Sequence, residues 1–363
     1  MTRKKLKFSA KTNTEFVKEL KQQVRSYFEE NNISKYGNSS LIAKSVFMAA
    51  LYTLPFLAVL TGLASSSFTI ILSWSVMGVG MAGIGMVLMH DANHGAFSSQ
   101  KRVNHFLSKS MYFLGGYPVN WRYQHNTLHH GFTNIDGYDE DISPVGILRF
   151  SPHKPILKIH RFQHIYAWFF YGLMTISWTI YRDFAQLYRY SKENSKTFSK
   201  KSFLFHLTDL IIAKIIYFGI FIFLPIFLNP SQWGLMLIGF FLMHFVSGFI
   251  LGIIFQTAHV MTTTSFPKAD SEDQLEHNWT VHQLYTTTNY APKSKWFSWL
   301  IGGLNYQVEH HLFPQISHVH YPVISKFVRS TARKYKVPYY LEPSFAAALK
   351  HHYQMLKELG RGV

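Results

Sequence analysis

Four long apolar runs restrict this chain more than any other feature: Ala43–Ala64, Phe68–Met89, Leu207–Leu228 and Trp233–Phe255. About 20 apolar residues in a helix span the ~30 Å hydrocarbon layer, and a helix keeps every backbone polar group paired inside it. The runs pair into two hairpins. Their turns, Ser65, Ser66 and Ser67 in one and Asn229, Pro230, Ser231 and Gln232 in the other, carry no charge, whereas the other flanks are rich in Lys and Arg. By the positive-inside rule both turns face away from the cytoplasm. The expected fold is an all-α membrane protein with four transmembrane helices and a cytoplasmic helical cap. Residues 1–42 form a basic N-terminal segment, 43–259 the membrane core with a cytoplasmic middle segment at about 90–206, and 260–363 a C-terminal cap.

Asp209 and Lys214 interrupt the third run, so that helix is expected to start a little late or to turn them to the protein interior. Two weaker stretches, Phe106 to Val119 and Tyr166 to Ile180, are too short to cross and suit interfacial or re-entrant helices. Lys+Arg number 36 against 19 Asp+Glu, and the excess lies outside the apolar runs, as in Arg3, Lys4, Lys5, Lys7 and Lys11. In a chain with such runs this charge suits anionic lipid or an acidic redox partner better than nucleic acid. Met1 to Asn38 shows no apolar signal core, so the chain is expected to start in the cytoplasm, in a bacterial plasma membrane or an endoplasmic reticulum. Cysteine is absent, which leaves any metal to N and O ligands.

Histidine supplies those ligands, with 20 in the chain. His90-Asp91-Ala92-Asn93-His94 follows the second run, and at about 3.6 residues per turn its two imidazoles share a helix face. In His125-Asn126-Thr127-Leu128-His129-His130, a helix groups His125 with His129 and turns His130 about 100° away. Gln307-Val308-Glu309-His310-His311 places its polar members on one arc before Leu312-Phe313-Pro314, and His259 lies just past the fourth run. Each cluster alone is a weak sign; all of them near span ends suggest one site.

With HDANH, HNTLHH and QVEHH in that order, the chain resembles the membrane fatty acid desaturase family. The resemblance runs from about residue 40 to 340 and includes NIDGYDEDI, HRFQHIY and GGLNYQVEHHLFP. The Gln-headed third box is similar to front-end, linoleoyl-CoA-type and sphingolipid long-chain-base desaturases. It implies a di-iron centre ligated by His90, His94, His125, His129, His130, His310 and His311, with His259 as an extra ligand and Gln307 bound directly or through water. It further implies O2 as co-substrate, a long-chain acyl substrate and a cis double bond as product. Many front-end relatives carry a fused cytochrome b5 domain with an HPGG motif; none is seen here, so a separate cytochrome b5 or ferredoxin system is expected to supply electrons.

Taking hydrogen from an unactivated methylene needs an oxidant stronger than side chains provide, hence a redox metal and O2. Imidazole binds several transition metals, so iron follows from the resemblance rather than from ligand type. Asp91, Asn93, Asp139, Asp141 and Glu309 are candidates to accept the imidazoles' other N–H groups. Trp121 and Tyr123 either line an acyl tunnel or anchor the interface. His160 and His164 read as surface residues, His351 and His352 as solvated, His244 as a satisfied interior group, and His282, His318 and His320 as outer neighbours of the third box. Two rival functions remain: a related di-iron hydroxylase of alkanes, sterols or carotenoids, and a metal transporter, whose ligands should lie nearer mid-membrane.

Overall fold

Among the described residues, four helices are long and apolar enough to cross a membrane. The computed structural model describes residues 3, 5–10, 12–144, 146–193 and 198–362, with Lys200 and Lys201 in backbone only; Lys4 and Lys11 of the basic N-terminal segment lie outside this set. In chain order, α1 (Thr14–Glu30) precedes the first hairpin, α2 (Ser39–Leu60) and α3 (Ser67–Asn93). Between the hairpins come α4 (Pro118–Arg122), which runs into a π-helical turn at Tyr123–His129, then α5 (Gln163–Gly172) and α6 (Asp183–Ser191). The second hairpin is α7 (Ser202–Leu228) and α8 (Pro230–His259). Then follow α9 (Trp279–Thr286), α10 (Gln307–Leu312), α11 (Tyr321–Lys334) and α12 (Phe345–Arg361).

The hairpin turns are local products of sequence. Ser66 caps α3, its hydroxyl accepting from Thr69 N while the Thr69 hydroxyl accepts from Ser66 N, a reciprocal cap that satisfies otherwise orphaned donors. Gln232 Nε2 donates to Ser65 O at 2.8 Å, which holds the two turns together at one end of the bundle. The 22 residues of α2 measure about 33 Å and match the hydrocarbon layer, whereas the 27 of α3 and 30 of α8 reach about 40 and 45 Å. With their starts level at the turns, α3 and α8 therefore overhang by roughly 10 Å at the far end.

α3 is the central helix, packed on α2 and α8. Its glycines permit the approach: a Cβ at Gly78 would lie 2.6 Å from Met243 O on α8, and one at Gly80 2.5 Å from Tyr52 N on α2. Small residues are how membrane helices bring backbones close. Outward faces stay apolar, as with Ile42, Val46 and Leu54 on α2 and Ile212, Ile215 and Phe223 on α7.

The third span begins at Ser202, earlier than expected, so Asp209 and Lys214 lie inside it. Both are paired. Lys214 Nζ sits 2.6 Å from Asp183 Oδ2 and donates to Gly115 O, while Asp209 accepts from the hydroxyls of Tyr112 and Tyr117. The middle segment supplies these partners, which is why the helix tolerates the charges.

Away from the turns, two short parallel ladders tie distant segments together. β1 (Lys7–Phe8) pairs with β2 (Gln274–Leu275), and β3 (Thr288–Tyr290) with β4 (Tyr340–Glu342), with Asn289 opposite Leu341. Phe16, Leu20 and Val24 of α1 bury against Ile324, Val328 and Ala332 of α11.

Candidate metal centre

The overhanging ends deliver the first histidines. A π-helical turn at Gly85–Met89 leads into His90 near the end of α3, and His259 is the last residue of α8. In the second box the chain departs from the expected regular helix. His130 N–H donates to His125 O at 3.0 Å, five residues back, so His130 is brought over His125 instead of turning away. Their Nε2 atoms lie 3.2 Å apart. π-Bulges of this kind recur at functional sites because they re-aim side chains.

Two sets of rings result. Nitrogens of His90, His94, His125 and His310 lie within 4.8 Å of one another, and so do those of His129, His259 and His311. His130 stands between them, its Nε2 2.9 Å from His310 Nε2 and its ring stacked 4.3 Å from that of His311. His94 is partly exposed and the other seven are buried. Both nitrogens of His90, Nε2 of His94, His259 and His311, and Nδ1 of His130 find no protein partner. A buried polar group left unpaired costs about 1–3 kcal/mol, so so many in one volume suit a ligand that several can address at once. Burial first, then the neighbouring rings, holds His94, His125, His130, His310 and His311 well below the ordinary imidazole pKa. Neutral imidazoles present lone pairs, and an all-nitrogen set of this kind fits iron among the transition metals.

The second nitrogens of several rings are anchored. His129 Nδ1 lies 3.1 Å from both oxygens of Asp139, and Asp141 is 3.4 Å away. Burial pulls His129 down, but these carboxylates outweigh it and hold its pKa at about 9. Asp139 in turn stays below the carboxylate range despite its burial, because His129 and the N–H groups of Asn134 and Asp141 face it. His311 Nδ1 pairs with Gln283 Oε1 at 2.8 Å, His259 Nδ1 with Thr286 O at 3.2 Å, and His310 Nδ1 with the Tyr321 hydroxyl at 3.3 Å. Gln283, Thr286 and Tyr321 escaped the sequence reading. For Gln283 and Thr286 the signal in the sequence was the polar run Thr280, His282, Gln283 and Thr286, which the structure buries in α9; Tyr321 had none.

The remaining candidates are placed as follows. Gln307 is buried, with its Nε2 unpartnered and its side chain in reach of the His259 ring. Glu309 faces away from the rings: it accepts from Asn289 and Tyr339, and burial pushes its pKa up to about 7. Asn93 donates to Met89 O, and its own carbonyl accepts from Asn126. Asp91 pairs with His318 at 3.0 Å and lies 3.8 Å from His90. Contrary to expectation, His160, His164 and His352 are buried. His160 Nε2 pairs with Gly146 O, and His352 bridges the Tyr171 hydroxyl and Val260 O. His351 is partly exposed beside Glu342. His244 has both nitrogens paired, with Tyr217 and Thr175.

A cavity of about 640 Å³ opens onto the first set, with His90, His125 and Trp121 in its wall. Phe170, Leu173, Met174, Ile176 and Phe255 line its apolar length, and Arg182, Gln186 and Arg189 give it a polar part. Trp121 stacks on His125 at 4.4 Å. Tyr123 is not in that wall: it packs on Tyr190 and Phe198 and donates to Glu193 at 2.5 Å.

Comparison with known proteins places the chain in a family. The family described as fatty acid desaturase matches residues 65–343. The sn-1 linoleoyl-lipid 6-desaturase of Synechocystis sp. is 32% identical over 363 residues, covering 99% of each chain. The acyl-lipid (8-3)-desaturase of Physcomitrium patens is 31% identical over 358 residues, 98% of this chain and 74% of that one. The sn-1 linoleoyl-lipid 6-desaturase of Arthrospira platensis is 30% identical over 344 residues, 95% of this chain and 92% of that one. A match over this much of the chain, coinciding with convergent histidines and an adjoining apolar cavity, shows that the protein belongs to the fatty acid desaturase family and is a fatty acyl desaturase.

Proposed function

We propose that the chain introduces a cis double bond into the acyl group of a membrane lipid, using two irons and an external electron donor, with its histidine-bearing end at the cytoplasmic face. The observation that carries this reading is the apolar cavity running up to His90 and His125. His90, His94, His125 and His310 would hold one iron, His129, His259 and His311 the other, with His130 between them and Gln307 beside the second. Iron bound there supplies the O2-dependent oxidant that unactivated C–H bonds require. The balance is complete when two hydrogens leave adjacent carbons and O2 takes up two electrons and two protons from outside, giving an alkene and two waters. The outside electrons come from a cytochrome b5 or ferredoxin type of protein, and the basic excess of the chain suits an acidic donor.

The chain's own residues position and insulate. Phe170, Leu173, Met174 and Phe255 hold an alkyl chain by apolar contact, and the Trp121 ring, packed on His125, fixes one wall where that chain passes the imidazoles. Burial keeps water from the reacting carbons and favours the neutral state of His94, His125, His130, His310 and His311. The relatives named for acyl-lipid and linoleoyl-lipid substrates support a lipid-borne acyl group and front-end regioselectivity.

Expression in a host with a defined fatty acid pool, followed by double-bond location by derivatised mass spectrometry, tests the reading. The expected product has lost two hydrogens on the carboxyl side of an existing double bond. A product that has gained oxygen would make the chain a hydroxylase instead.

A further inference from the structure

A lysine buried in a membrane-crossing helix needs a reason. Lys44 of α2 is 3% exposed, and its Nζ lies 2.9 Å from His318 Nε2. His318 Nδ1 lies 3.0 Å from Asp91 Oδ2, which also accepts from the Ser317 hydroxyl at 2.9 Å. The other oxygen of Asp91 stands 3.8 Å from Nδ1 of His90, a ring with no other partner for either nitrogen. His318, Asp91 and His90 are as buried as Lys44. Three segments far apart in sequence thus form one line that ends on a histidine of the first set.

We infer that Lys44 and His318 are positioning residues for the first metal set, acting through Asp91 to orient His90. An ammonium offers donors only, so His318 Nε2 accepts, its Nδ1 carries the proton, and that N–H is donated to Asp91. The tautomer is thereby fixed from the α2 side. One carboxylate oxygen is occupied by His318 and Ser317, and the other is left to receive the N–H of His90 Nδ1, which turns His90 Nε2 to the metal side. This is the role Asp139 has for His129, assembled from a different set of residues. The cation of Lys44 also balances the anion of Asp91, which neither could do without in so apolar a place. Partners of this kind raise ligand basicity and typically account for 10–100-fold in metal affinity, roughly.

The inference rests on the metal-centre reading above, and the test separates the two. The full chain is purified in detergent, its iron measured per chain, and its iron release followed against a graded chelator, with size-exclusion profile and melting temperature as folding controls. Wild-type protein that takes up no iron would fail the metal-centre reading itself. With wild type loaded, His318→Leu is expected to stay folded, to lose about half of the iron, and to release it at roughly 10–100-fold lower chelator. His318→Gln is expected to keep the iron, because its amide can accept from Lys44 and donate to Asp91. Asp139→Asn should deplete the other half, and combining it with His318→Leu should remove nearly all. A second variant, Lys44→Met with Asp91→Asn, removes both charges together and should again lose the same half. Full, chelator-resistant iron in folded His318→Leu or in the double variant would overturn the inference. So would His318→Gln behaving like Leu, or both disruptive variants failing to fold, which would make the line a folding element.

Discussion

The two histidine sets lie side by side, yet their surroundings differ. In the second, His129, His259 and His311 are buried and each has its Nδ1 tied down, by Asp139, Thr286 and Gln283. None of the three borders the cavity. In the first, His90 and His125 form part of the cavity wall, His94 is partly exposed, and His90 has no direct hydrogen-bond partner. One set is tied down and set back from the cavity, while the other borders it with fewer direct partners. His90, in the cavity wall, lacks the direct partner that each ring of the second set has.

Removing a ring from either set should have the largest effect and tests whether both are needed. His310→Ala and His311→Ala are each expected to bring desaturation to background and to deplete iron, read by product mass spectrometry and metal analysis; normal turnover in either would break the pairing into sets. Next, Gln283→Leu leaves His311 Nδ1 only the longer contact to the Thr133 hydroxyl at 3.2 Å and should lower iron affinity, by up to roughly 10–100-fold, in the second set alone. Trp121→Ala sharpens the contrast on the cavity side. It should cost activity about tenfold or more through a misplaced chain, while Tyr123→Phe, outside the wall, should leave activity unchanged and cost only about 1 kcal/mol of stability.

The effect least tied to turnover concerns pH. Burial lowers His282, beside the second set, and His352, whose ring bonds Val260 O next to His259, to about 4. The unfolded chain binds protons near the ordinary value of about 6.5, so the folded form is favoured above that pH, and the advantage is lost as pH falls from there through about 4. Each group contributes up to about 3 kcal/mol to that loss. His352→Gln should flatten the acid side of a melting-temperature profile without changing iron content.

Local pattern carried much of this into view from sequence. The spans and the HxxxH spacings are properties of neighbours along the chain, and so were readable. The π-helical turn at Tyr123–His129 was not, because nothing in HNTLHH distinguishes it from a regular helix. Nor was the burial of His352, whose partners Val260 and Tyr171 lie 92 and 181 residues away. The same holds for Lys44, which looks like a flaw in a membrane helix until His318, 274 residues on, is placed beside it. The late start expected for the third span failed for a related reason: the partners that neutralise Asp209 and Lys214 belong to another segment.

The closely apposed glycine helix has a wider consequence. His90 and His259 ride on α3 and α8, and those two are locked together at Gly78, deep within the bundle. The distance between opposite halves of the centre is thus gauged by protein backbone against protein backbone, with no lipid between. The spacing of those two rings is therefore set by the chain's own packing and should not follow changes in the thickness or fluidity of what surrounds the helices.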